Sequence, residues 1–120
     1  MQDKNIIKKI INLTKITNEN IIEIGPGLGA LTDEILKLKP KKFIIIEKDY
    51  NLFLLLKEKY KNRELTIIHN DIFKYKFKLL KNFKIISNLP YNISSKFLLK
   101  ALKFNKNIIE IICMIQKELA

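Results

Sequence analysis

Disulfide chemistry is closed to this chain. It has one cysteine, Cys113, set in an apolar run with no internal partner. That usage fits a reducing, cytoplasmic setting. Long hydrophobic runs are missing as well: no stretch of about 18 uncharged apolar residues occurs, so no helical membrane span is expected. Lys8 and Lys9 interrupt what would be the apolar core of a signal peptide, and the N-terminus is not arginine-rich as a mitochondrial presequence would be. Arginine is scarce throughout, Arg63 being the single instance. His69 is the one histidine, with no cysteine or histidine at a metal-ligand spacing, so no metal site is expected. There is no low-complexity linker and no internal repeat beyond an alternation of strands and helices.

What is present suits one domain with a modest core: 120 residues, 48% of them hydrophobic. The net charge is +11 and the pI about 9.7. A basic excess favours a polyanionic partner such as nucleic acid. The same lysine, isoleucine and asparagine richness is also what AT-rich coding would produce. The lysines are spread through every segment, so charge alone draws no binding face.

Residues 5–16 place Ile6, Ile7, Ile10, Ile11 and Leu13 at helical spacing between lysines, which predicts an amphipathic covering helix. Ile21 to Ile24 reads as a short buried strand. The glycine-rich turn Gly25-Pro26-Gly27-Leu28-Gly29 follows at once. Leu28, Leu31, Ile35 and Leu38 then recur at three- and four-residue steps, predicting a helix to about Lys39 that Pro40 ends. Strand, glycine turn and helix form the context of a nucleotide-binding loop. Glycine lets the backbone take unusual dihedrals and lets a ligand approach. A tight structural turn is the plainer alternative.

Phe43 to Ile46 is the second expected strand. Glu47 at its end lies about 20 residues beyond the glycines, where a carboxylate can receive two ribose hydroxyls. A solvated strand end or a helix cap would also explain it, although Asp49 suits the cap better. Leu52, Leu55, Leu56 and Tyr60 supply the next helix with an apolar stripe. Leu65 to Ile68 is a third strand. After it, Asp71 can accept from an adenine amino group while Ile72 lies against the ring; an Asx turn at Asn70-Asp71 fits equally well. Residues 74–82 read as a lysine-rich loop.

Phe83 to Ile86 is the fourth strand, running into Asn88-Leu89-Pro90-Tyr91. An amide acceptor, a proline-fixed carbonyl and an aromatic ring in four consecutive residues suit a planar base bearing an amino group. Taken alone, the tetrapeptide suits an ordinary strand-to-helix turn as well. Ser94 is a helix N-cap, with Phe97, Leu98, Ala101 and Leu102 on the buried face, and Ile108 to Ile115 reads as a fifth strand. Uninterrupted apolar strands alternating with helices predict a mostly parallel sheet covered on both faces. Right-handed crossovers would bring Gly25, Glu47, Asp71 and Asn88 to one edge.

The decapeptide Glu23-Ile24-Gly25-Pro26-Gly27-Leu28-Gly29-Ala30-Leu31-Thr32 resembles the cofactor loop of the ribosomal RNA adenine N6,N6-dimethyltransferases. Ile46-Glu47-Lys48-Asp49, Asn70-Asp71-Ile72-Phe73 and Asn88-Leu89-Pro90-Tyr91-Asn92-Ile93-Ser94 resemble that family's successive motifs, in order and at fitting spacing. Met114-Ile115-Gln116-Lys117-Glu118 is similar to its next strand. Pro90-Tyr91-Asn92-Ile93-Ser94 favours the small-subunit branch over the macrolide-resistance branch. The resemblance implies a Rossmann-like α/β fold of the class I S-adenosylmethionine-dependent methyltransferases. About five strands would be present, and residues 1–120 would form an incomplete methyltransferase domain. A segment ahead of the first helix, the final strands and a helical C-terminal domain would be absent.

The resemblance further implies S-adenosylmethionine as cofactor and dimethylation of adenines in small-subunit ribosomal RNA. Gly25, Gly27, Glu47, Lys48, Asp71, Ile72 and Asn88 would bind the cofactor. Asn88, Leu89, Pro90 and Tyr91 would carry the chemistry: the Asn88 amide oxygen and the Leu89 or Pro90 carbonyl accept the amine's N–H groups, and Tyr91 stacks on the base. The expected protein is monomeric, binds ribosomal RNA or the small ribosomal subunit, and needs neither membrane nor metal. The alternatives are a non-catalytic RNA-binding or ribosome-assembly factor, and an inactive fragment retaining the fold. A nicotinamide-dependent oxidoreductase fits poorly, because the loop lacks the third glycine of G-x-G-x-x-G and leaves Asn88 to Tyr91 without a role.

Overall fold

The protein is described from a computed structural model, which covers residues 4–74, 81–90, 96 and 107–116, with the side chains of residues 88–90 and 114–116 outside the description. The described residues form, in chain order, α1 (Lys4–Leu13), β1 (Asn20–Ile24), α2 (Ala30–Lys37), β2 (Lys42–Glu47), α3 (Tyr50–Lys59), β3 (Thr66–His69), β4 (Phe83–Pro90) and β5 (Ile108–Gln116). Isoleucine-rich runs make the strands because β-branched side chains fit a pleated surface packed on both sides. All of β1 beyond Asn20 and all of β2 beyond Lys42 is buried.

The five strands form one sheet in the order β3-β2-β1-β4-β5, and every pairing is parallel. Strand order therefore reverses between β1 and β4, the place where open parallel sheets build their ligand crevice at the carboxyl ends. Alternation divides the core in two. Ile21, Phe43, Ile45 and Ile86 face Ile7 and Ile10 of α1, Leu31, Ile35 and Leu36 of α2, and Leu56 with Tyr60 at the end of α3. Ile22, Ile24, Ile44, Ile46, Phe83 and Ile85 share the other face with Ile72.

Several boundaries differ from the expected ones, each for a local reason. Helix α1 stops at Leu13, which is exposed, and Ile16 is buried in the turn that follows. Leu28 does not belong to α2: it lies in the glycine loop, 75% exposed, ahead of the N-cap at Gly29. Leu55 is 60% exposed because it sits about 100° around α3 from Leu56, which faces the sheet. Asp49 does cap α3, accepting from the Leu52 N–H at 3.1 Å.

The largest difference concerns the fourth strand. It runs through Ser87, Asn88 and Leu89 to Pro90, in register with β5 from Lys84 opposite Glu110 to Pro90 opposite Gln116. On the other side, pairing with β1 ends at Ser87 opposite Ile24. Proline cannot donate to a ladder, and Pro90 is tolerated at the last position, where the β1 side has no neighbour. Asn88 to Pro90 are therefore strand rather than turn. Tyr91, the expected N-cap Ser94, Phe97, Leu98, Ala101 and Leu102, residues 75–80 of the lysine-rich loop and residues 117–120 lie outside the described residues.

Candidate functional site

Four strand ends meet along the carboxyl edge of the sheet. Ile24 pairs with Ser87 and with Ile46, so Gly25 is the next residue between Asn88 on β4 and Glu47 on β2. The Gly25 N–H donates to the Ile46 carbonyl at 3.3 Å. Glu47 pairs with His69, and the Asn70 N–H donates to the Glu47 carbonyl at 3.1 Å. Of the expected cofactor residues, Gly25, Glu47, Lys48, Asp71 and Ile72 line one cleft of about 110 Å³ with Ile24, Ile46, Asn70 and Phe73. Gly27 lies in the adjoining loop, outside that lining. Larger hollows among the described residues, of about 430 Å³ between α1 and α2, about 380 Å³ around Pro40 and Arg63 and about 290 Å³ around Asn20 and Lys81, lie away from these strand ends. Chemistry rather than size marks the small cleft as the candidate.

Each group in the cleft is held by its local chain. The glycine loop takes positive φ at Gly25, Gly27 and Gly29, at 67°, 60° and 96°, a region open mainly to glycine. A side chain on Gly27 would meet nothing within 4 Å, so the space beside that residue is open. Glu47 is 7% exposed, and its Oε2 accepts the Asp49 N–H at 2.8 Å. That bond aims the carboxylate, and Oε1 has no protein partner among the described residues. Asp71 does form the Asx turn, its Oδ1 accepting the Phe73 N–H at 2.9 Å. The turn and a binding role are compatible, because the turn uses Oδ1, while Oδ2 lies 3.9 Å from the exposed Lys48 ammonium. Ile72 is buried against the second core face. His69 ends β3, with Nε2 3.0 Å from the Lys48 carbonyl and its ring packed between Tyr50 and Phe53.

Two features of this edge were not expected. Glu23, one residue before the end of β1, is 1% exposed on the α2 side of the sheet. Its Oε1 accepts from the Thr32 hydroxyl at 2.5 Å, while Oε2 is buried with no partner among the described residues. Burial pushes this carboxyl up to about 8; the Thr32 hydrogen bond opposes the rise, and the Asp33 and Glu47 carboxylates add to it. The other feature is Tyr60, whose hydroxyl donates to Asp33 Oδ1 at 2.6 Å and lies 3.2 Å from the Gly29 carbonyl. Burial and the Asp33 carboxylate both push this phenol up, so it stays a donor. Glu23 lay inside the recognised loop motif without a role, and Tyr60 counted only as part of an apolar stripe.

Among the described residues, no three metal-ligating side chains cluster, and no helix is long and apolar enough to cross a membrane. The open loop beside Gly27 and the half-satisfied Glu47 carboxylate fit a nucleoside carrying a polar extension.

Known proteins resemble this chain in sequence and fold. The family model for ribosomal RNA adenine dimethylase matches residues 1–120. The chain is 44% identical over 123 residues to ribosomal RNA small subunit methyltransferase A of Pelagibacter ubique, an alignment covering 98% of this chain and 47% of the relative. A dimethyladenosine transferase structure from Plasmodium falciparum superposes with a TM-score of 0.81 at 30% identity, covering 98% of this chain and 43% of that one. The 23S rRNA methyltransferase ErmE, at 21% identity, has the same fold, with a TM-score of 0.83 over 97% of this chain and 47% of its own. The chain thus spans about half the length of the relatives it matches. Its motifs, its parallel sheet with the switch between β1 and β4, and these likenesses agree: the chain belongs to the ribosomal RNA adenine dimethylase family.

Proposed function

We propose that this protein is an S-adenosylmethionine-dependent methyltransferase that dimethylates the exocyclic amine of adenines in small-subunit ribosomal RNA. The observation that carries the reading is the convergence of Gly25, Glu47, Asp71 and Asn88 on one carboxyl edge, astride the strand-order reversal, in a chain of this family. S-adenosylmethionine, when bound, supplies an electrophilic methyl group on a sulfonium. Glu47 accepts the ribose hydroxyls through its carboxylate, already aimed by the Asp49 N–H. Asp71 receives the adenine amino group, Ile72 packs on that ring, and exposed Lys48 flanks it. Gly25 and Gly27 let the polar tail approach the loop backbone.

The target adenine's nitrogen is a poor nucleophile, because its lone pair is delocalised into the ring. Asn88 Oδ1 and the Leu89 or Pro90 carbonyl accept its N–H bonds and draw the amine towards tetrahedral geometry, which localises the lone pair. Tyr91 stacks on the base, which must leave its helix to reach the site. In-line positioning supplies much of the acceleration. The protein acts as a monomer on the small ribosomal subunit in the cytoplasm.

The test is transfer of labelled methyl groups to small subunits that lack the modification, using the full-length protein and residues 1–120 side by side. Two methyl groups on each target adenine, added by the full-length protein, support the reading. Cofactor-independent RNA binding without transfer would instead make the protein an assembly factor.

A further inference from the structure

The glycine loop is held from behind by the end of α3. Helix α2 begins at Gly29, which offers no side-chain cap, so the usual means of fixing a helix start is missing. In its place stand Lys59 and Tyr60. The Lys59 ammonium donates to the Leu28 carbonyl at 2.9 Å and sits 3.5 Å from Asp33 Oδ2. The Tyr60 hydroxyl is shared between Asp33 Oδ1 at 2.6 Å and the Gly29 carbonyl at 3.2 Å, on a ring that is 4% exposed. A Cβ on Gly29 would stand only 2.3 Å from that hydroxyl. The contact is thus close enough to dictate glycine at the position.

These bonds hold carbonyls on the α3 side. In a trans peptide the N–H points opposite its C=O. The Gly29 carbonyl also accepts the Asp33 N–H at 2.9 Å, the first bond of α2; held from both sides, it turns the Ala30 N–H the other way, at the start of α2, where first-turn N–H groups lack intrahelical acceptors. The opposite end of the same helix serves Glu47: Asp49 caps α3 with its side chain and holds Glu47 Oε2 with its N–H. One helix of ten residues, about 15 Å long, thereby spaces the carboxylate for the ribose against the loop for the tail.

We propose that Tyr60, assisted by Lys59, is a positioning residue that sets the affinity for the amino-acid half of S-adenosylmethionine without touching it. This rests on the cofactor reading given above. The role differs from general support of the fold in one measurable respect: its loss affects only ligands that carry the amino-acid half.

The experiment is calorimetric titration of the full-length protein and its Tyr60→Phe variant with two ligands. S-adenosylhomocysteine carries the amino-acid half, and 5′-methylthioadenosine lacks it. Tyr60→Phe is expected to weaken S-adenosylhomocysteine about tenfold, because a loop no longer held in place must be ordered when the ligand binds. Binding of 5′-methylthioadenosine should stay within about twofold. Lys59→Ala, an exposed change compatible with folding, should act in the same sense by about threefold. Equal weakening of both ligands, or no change in either, overturns the inference. Failure of the unsubstituted protein to bind either ligand overturns the cofactor reading, and this inference with it.

Discussion

Two buried glutamates lie at neighbouring strand ends in different surroundings. Glu23 is next to last on β1 and Glu47 is last on β2, and Glu23 pairs in register with Ile45. Both are under 10% exposed, at 1% and 7%. Their surroundings separate them. Glu47 is aimed by a backbone N–H and borders the open cleft. Glu23 points beneath the glycine loop towards Thr32, with one oxygen unpartnered and its pKa pushed up to about 8 by burial. A carboxylate near a site is available to a ligand when a backbone donor aims it and a cleft admits the partner. Without these it is a neutral packing group, sensitive to pH.

Exchanging these roles is the way to break the comparison. The largest effect is expected from Glu47→Ala, which removes the proposed ribose acceptor. Affinity for S-adenosylhomocysteine, measured by calorimetry, should fall on the order of a hundredfold, with little change in the melting temperature. A stability loss as large as the affinity loss would make Glu47 a structural residue instead.

Glu23→Gln should act on stability and on its pH dependence. Between its ordinary value of 4.5 and about 8, the folded Glu23 holds a proton that the unfolded chain has released. Its contribution is therefore complete below 4.5 and is lost as pH rises to about 8. The slope approaches about 1.4 kcal/mol per pH unit at most. Glutamine keeps an acceptor for Thr32 and does not titrate. Denaturant unfolding between these limits should show the wild-type stability falling relative to the variant as pH rises; parallel curves would place the proton elsewhere. The smallest effect belongs to Asp49→Ala. It removes the α3 cap at about 1 kcal/mol but leaves the backbone N–H that holds Glu47, so cofactor affinity should change less than about threefold. A much larger change would show that the cap, not the N–H, aims the carboxylate.

The fold was legible where one strand or helix declares itself. Runs such as Phe43 to Ile46 announced buried parallel strands, and spacing and context put the glycine loop, Glu47 and Asp71 at the strand ends where they lie. Legibility failed where the outcome depends on a distant neighbour. The extension of β4 through Pro90 depends on β5, more than 20 residues later in the sequence, while proline alone argues for a break. Leu28 and Leu55 fit a helical stripe by spacing, yet only docking shows which side of α3 faces the sheet and where α2 begins. Tyr60 reads as apolar packing until its hydroxyl meets Gly29, across 31 positions of sequence. Glu23 in an isoleucine strand reads as an interruption, and its orphaned oxygen appears only once Thr32 is seen to satisfy the other one.

The proposal that the carboxyl edge is a site for adenine methylation is tested most directly at Asn88. Asn88→Ala in the full-length protein is to be assayed for methyl transfer to unmethylated small subunits, with S-adenosylhomocysteine affinity measured on the same preparation. The account predicts transfer reduced by about a hundredfold or more, with cofactor affinity only moderately lowered. Normal methylation by the variant would contradict it.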